Sequence, residues 1–154
     1  MTFSIEVSGF DNGGEIPAEL TCDGKNHSPR ILLNDIPKGT KSLALIVEDP
    51  DAPVGLFVHW VIFNINSDIL VIRENIEKSQ RTSEGFLQGK NDFGRIGYDG
   101  PCPPKGHGYH RYFFRMFALG GTVTVDGAVS RDRLLKAIEG KVLSQAEYVG
   151  KYKR

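Results

Sequence analysis

The chain is predicted to be all-β dominated, with a core of antiparallel Greek-key sheets and one or two short helices near the C-terminus. Three observations predict it. Apolar residues recur at every second position in TFSIEVSGF, which puts Phe3, Ile5 and Val7 on one face, as a half-buried strand requires. The runs SLALIVED, LFVHWVIFNI and YHRYFFRMFAL are rich in β-branched and aromatic residues and read as core strands. Helical spacing is confined mostly to the last part of the chain.

In chain order, the strand at Phe3–Val7 is followed by the turn-forming DGKNHSP and a second strand from about Arg30 to Ile36. Ser42–Asp49 and Leu56–Ile65 come next, then a weaker ILVIREN, then Tyr109–Leu119, and GTVTVDG adds a short strand. Ser130 is placed to N-cap a helix through RDRLLKAIE, with Asp132 in its first turn and Gly140 as the stop. Leu134, Leu135 and Ile138 then share a face. Ser144 is expected to cap a second short helix through AEYVG. The stretch from about Glu77 to Pro104 is rich in Gly, Asn, Asp and Pro and reads as long loops, which in small proteins often carry function.

With 154 residues and 40% hydrophobic content, the chain can fill one core, so a single domain over 1–154 is expected. Lys plus Arg and Asp plus Glu each total 19, so no net field favours nucleic acid or an anionic membrane. No apolar run approaches the roughly 20 residues that span a bilayer, so no stable membrane insertion is expected. The N-terminus lacks the pattern of a signal peptide, which makes a soluble cytoplasmic protein the expectation. Cys22 and Cys102 lie far apart and show no paired metal or redox spacing. They read as two buried thiols, with a bridge between them as the lesser alternative in a reducing cytosol.

Period-two bookkeeping brings out the candidate site. Leu43, Leu45, Val47 and Asp49 point the same way, so an apolar face ends in a carboxylate. The face carrying Val61, Phe63 and Ile65 begins with His59, and the face carrying Phe114 and Met116 begins with His110 and Tyr112. If these ends converge beside GPCPPKGHG, they form a small polar cup with apolar walls. Imidazole, phenol and backbone N–H donors suit phosphate or carboxylate oxygens, so the cup would hold an anion without Lys or Arg. His107 reads as an exposed loop residue outside this set.

Competing chemistries fit less well. Asp with two His resembles a metal facial triad, but a tyrosine and a proline loop are not what such a site needs, so no metal or cofactor is expected. The chain has no G-x-S-x-G elbow, P-loop or dinucleotide fingerprint. The aromatic and basic interleaving of RYFFRMF suits a core strand apolar on both faces better than an RNA platform, so no nucleic acid is expected. A metal-assisted or Asp/His-dependent hydrolase using Asp49, His59 and His110 is the alternative function.

TCDGKNHSP, DPDAP, HWVIFNI and GYDGPCPPKGHGYHRYFF, in this order over nearly the whole chain, resemble the phosphatidylethanolamine-binding protein family in its bacterial and archaeal branch. The closing LSQAEYVGKYKR is similar too. The resemblance implies a large central antiparallel sheet packed by a smaller one, with an anion pocket at one end. It assigns ligand binding to Asp49, His59, His110 and Tyr112, with main-chain groups from Gly100 and Cys102. It assigns support of the pocket to Asp51, Pro53, Phe57, Tyr98 and Pro103, and suggests a cis Ala52–Pro53 bond.

What the resemblance implies for function is binding rather than catalysis: a small anion or phosphorylated head group in the pocket, and modulation of a kinase or peptidase partner. A homodimer is a further implication. The long C-terminal extension of animal members is expected to be absent, leaving less apolar wall for an acyl chain.

Overall fold

The computed structural model describes residues 2–154. Two antiparallel sheets share one core. The smaller has the order β1 (Ser4–Val7), β2 (Ile31–Asn34), β5 (Val71–Ile72). The larger has the order β6 (Leu87–Gln88), β4 (Phe57–Asn66), β3 (Ser42–Asp49), β7 (His110–Leu119), β8 (Val142–Tyr152). One short helix, α1 (Arg131–Ala137), lies between β7 and β8 in sequence. No helix among the described residues is long and apolar enough to cross a membrane.

β3 is buried along its whole length because it is the middle strand of the large sheet and both its faces are covered. Leu43, Leu45 and Val47 face the small sheet and pack with Ile5, Ile31 and Leu33. Ala44 and Ile46 face the other way, toward Val129, Leu134 and Ile138 of the α1 layer. That two-sided burial is why SLALIVED is nearly continuous in apolar residues. The Ser130 side chain caps α1 by accepting from the Arg133 main-chain N–H, as expected.

Two expected elements are absent. AEYVG forms no helix; it lies inside β8, which pairs with β7 from His110↔Tyr152 to Leu119↔Val142. Its inner face is only partly covered, so its sequence carries weak alternation, and the long ladder with β7 decides its conformation. GTVTVDG forms no strand and lies as a loop over the α1 layer, with Val123 and Val125 packed into that core. The outer edge of β8 is covered by the segment 13–16, through Ile16 N–H to Lys151 O (2.8 Å) and Lys151 N–H to Gly14 O (2.9 Å).

β4 departs from simple alternation twice. Its register against β3 shifts by one residue between Val47↔Trp60 and Glu48↔Val58, and again between Leu43↔Ile65 and Leu45↔Ile62. Asn64, inside the second irregularity, has φ 51°. Consequently Val61 and Phe63 belong to the α1 layer, while Trp60, Ile62 and Ile65 belong to the inter-sheet core. The expected face of His59, Val61, Phe63 and Ile65 does not exist. A bulge leaves His59 as the extra residue and re-aims it.

Candidate functional site

Antiparallel pairing with β3 in the middle brings the end of β3 beside the starts of β4 and β7. Asp49, Phe57, His59, His110 and Tyr112 therefore gather at one end of the large sheet. They line a cavity of about 210 Å³, together with Ala52, Pro53, Val54, Phe93, Cys102, Pro103 and Pro104.

The floor is polar. His110 Nδ1 lies 2.7 Å from Asp49 Oδ2, and both side chains are buried. The other oxygen of Asp49 accepts the Asp51 main-chain N–H at 2.7 Å, so the carboxyl is fixed from two sides. His59 Nδ1 lies 2.7 Å from the carbonyl oxygen of Asp99. A carbonyl only accepts, so Nδ1 carries the hydrogen and Nε2 a lone pair. Burial pushes the His59 pKa below the ordinary value, which keeps the ring neutral. Burial, with Asp49 nearby, raises the Tyr112 hydroxyl well above its ordinary pKa and keeps it a donor.

The upper wall is apolar and aromatic. Phe57 sits 5.1 Å from His59 and 4.8 Å from Phe93 between ring centroids, and the His59 and Tyr112 rings meet edge to face at 5.2 Å. Val54 and Phe93 are exposed at the rim.

Behind the floor, the Asp99 side chain anchors its own loop. It accepts from Asn91 (2.8 Å), Arg95 (3.0 Å), Lys78 (3.2 Å) and Asn26 (3.3 Å). Burial alone would raise its pKa, but the hydrogen bonds from Arg95, Asn91 and Lys78 outweigh it and the net shift is downward. This network holds the carbonyl that orients His59.

Other expected site residues sit elsewhere. Gly100 is not on the cavity wall; its N–H donates to Asn26 Oδ1 at 2.7 Å. Tyr98 lies beneath the site, with its ring edge-on to Trp60 and its hydroxyl donating to Leu20 O at 2.6 Å. The Ala52–Pro53 bond is not cis; no described peptide bond is. Gly55 N–H donates to Ala52 O at 2.9 Å, so Pro53 occupies the second position of a β-turn, where its fixed φ suits a trans bond.

The cysteines are also corrected: Cys22 and Cys102 form a disulfide, and Cys22 is exposed rather than buried. The bond ties TCDG to GPCPP beside Cys22 N–H to Pro101 O (3.1 Å). The expectation of two free thiols, which rested on a reducing cytosol, is thereby overturned.

His107 was missed. It is exposed, as expected, but its Nδ1 meets Nε2 of His110, and the rings cross at 4.8 Å between centroids. The glycines on either side of it were the available signal; Gly106 and Gly108 have φ of 78° and 90°. Asn26, Asn91 and Asp99 were missed as well; the DG of GYDGP marks Asp99 alone.

Asp51 stays outside the cavity and clamps the DPDAP turn to β7. Its carboxylate accepts the Arg111 main-chain N–H (2.9 Å), Nε (2.8 Å) and Nη2 (2.9 Å). These bonds, the side-chain one foremost, lower its pKa from 3.8 to about 2. The stabilisation is therefore fully present above pH 3.8 and lost as pH falls through about 2. Solvent screening limits it to about 0.5–1 kcal/mol. Carboxyl titration by NMR of Arg111→Ala is expected to show the Asp51 midpoint rising toward 3.8; an unmoved midpoint would refute the assignment.

Residues 6–153 match the family model described as phosphatidylethanolamine-binding protein. A UPF0098 protein of Aquifex aeolicus is 53% identical over 94% of this chain and 85% of its own length. A UPF0098 protein of Methanothermobacter thermautotrophicus is 44% identical over 98% of this chain and 99% of its own. Among solved structures, the PEBP homolog from Chlamydia trachomatis superposes with a TM-score of 0.90 at 34% identity, covering 99% of this chain and 98% of that one. YbcL of E. coli superposes at 0.92 with 29% identity, covering 100% and 99%. A carboxypeptidase Y inhibitor solved with its cognate proteinase shares the fold at 17% identity, with a TM-score of 0.61 over 99% of this chain and 82% of that one. On the matched model and on these relatives, the chain belongs to the phosphatidylethanolamine-binding protein family.

Proposed function

We propose that the chain is a non-enzymatic binding protein whose cavity takes a small phosphate-like anion or a phosphorylated head group, and that it modulates a protein partner such as a kinase or peptidase. The observation that carries this reading is the gathering of Asp49, His59, His110 and Tyr112 on the floor of one cavity with an apolar collar. The Tyr112 hydroxyl and the imidazoles supply polar contacts for oxygens, and the collar suits whatever carbon group bears the phosphate. The partner half of the reading is supported by family membership and by a fold shared with an inhibitor of a peptidase.

Inorganic phosphate and phosphorylethanolamine titrated by calorimetry or NMR test the pocket. His110→Ala is expected to weaken binding by about tenfold or more, since a buried Asp49 carboxyl then loses its partner. Equal binding by wild type and variant would sink the assignment.

A second reading has one observation in its favour. Asp49 and His110 at 2.7 Å form the carboxylate–imidazole pair of a general base, extended outward by His107. A phosphatase and esterase screen, run with and without chelator, separates the two readings: turnover abolished by His110→Ala favours the hydrolase.

A further inference from the structure

The cavity offers more than donors. His59 Nδ1–H is committed to the Asp99 carbonyl, so Nε2 presents a lone pair, and no donor among the described residues reaches it. The ring is held by Phe57, Phe93 and Tyr112 at 5.1, 5.6 and 5.2 Å between centroids, none placed to turn it over. The Asp99 carbonyl belongs to a loop pinned through its own side chain by Arg95, Lys78, Asn91 and Asn26. The acceptor character of Nε2 is thus built in from behind. No Lys or Arg lines the cavity to compensate for it.

We infer that His59 makes this pocket selective for an oxyanion that brings its own proton: the P–OH of the ligand donates to His59 Nε2 while its other oxygens accept from donors such as the Tyr112 hydroxyl. This rests on the anion-pocket reading and narrows it to a ligand class. A fully deprotonated tetrahedral anion would set an oxygen lone pair against the Nε2 lone pair. It would leave both without a donor on the buried floor of the cavity, and an unmatched acceptor in such a setting is where discrimination is largest. Turning His59 into a donor by protonation would require a charge in a buried aromatic setting. Inorganic phosphate retains at least one P–OH at neutral pH, and sulfate has none, although the two match in shape.

The test is a calorimetric titration of the wild-type protein at neutral pH with sodium phosphate and with sodium sulfate at matched ionic strength. Phosphate is expected to bind at least tenfold more tightly. In His59→Gln, whose amide can turn its NH₂ toward the cavity, the ratio is expected to fall below about threefold, mainly because sulfate gains. A folded spectrum of the variant by NMR accompanies the measurement. Sulfate binding wild type as well as phosphate does overturns the inference and leaves the anion pocket standing. Selectivity undiminished in a folded His59→Gln also overturns it. If wild type binds neither ion, the anion-pocket reading falls and this one with it.

Discussion

Replacing Cys22 and Cys102 together by alanine is expected to lower stability by about 2–4 kcal/mol. The bond joins residues 80 apart, and a closed loop of that size removes roughly 4.5 kcal/mol of chain entropy from the unfolded state in the simple polymer account. Part of this is forfeited because the unfolded chain is not a random coil. At roughly 2–4 °C per kcal/mol for a chain of this length, the melting temperature falls by about 5–15 °C. Scanning calorimetry of the variant, and of wild type in reductant, is expected to give the same drop, since Cys22 is exposed and open to attack. A shift under about 2 °C would show that the segments hold together without the bond. The same variant is expected to bind phosphate more weakly, because Cys102 and its neighbours Pro103 and Pro104 form one wall of the cavity.

Gly100→Ala is the second large effect, at about 3 kcal/mol or more. A Cβ there would stand 2.0 Å from Leu20 O and 2.9 Å from Asn26 Oδ1. Neither atom is free to retreat. Leu20 O accepts the Tyr98 hydroxyl at 2.6 Å, and Asn26 Oδ1 accepts the Gly100 N–H itself. Gly106→Ala is the control, because its Cβ would meet nothing within 4 Å and only the φ of 78° opposes it. About 1 kcal/mol is expected there. Comparable losses in the two variants by denaturant melts would show that close packing is not what position 100 requires.

The strands were legible because β3, β4 and β7 are long and strongly apolar, so pattern and environment agree. Alternation put Asp49 and His110 at the ends of apolar faces, but their meeting depends on β3 lying beside β7, a long-range pairing that alternation leaves open. His59 was assigned to the cavity by alternation as well as by resemblance, and the face that alternation gave it was wrong. No local residue signals a bulge that depends on how β4 docks against β3. β8 defeated the reading for a different reason: a partly solvated edge strand such as LSQAEYVGKY carries little alternation, and its ten rungs with β7 are long-range information. The Cys22–Cys102 bond is of the same kind, being a fact of tertiary approach.

The two glycines around His107 give the cavity an occupied threshold. His110 does not wait with an open hydrogen-bonding site; its outward nitrogen already has an imidazole partner. Any ligand that bonds this nitrogen must displace that partner, and the flanking glycines let the loop yield without straining a side chain elsewhere. Engagement at His110 is an exchange reaction, and its free energy is the difference between two hydrogen bonds rather than the whole of one.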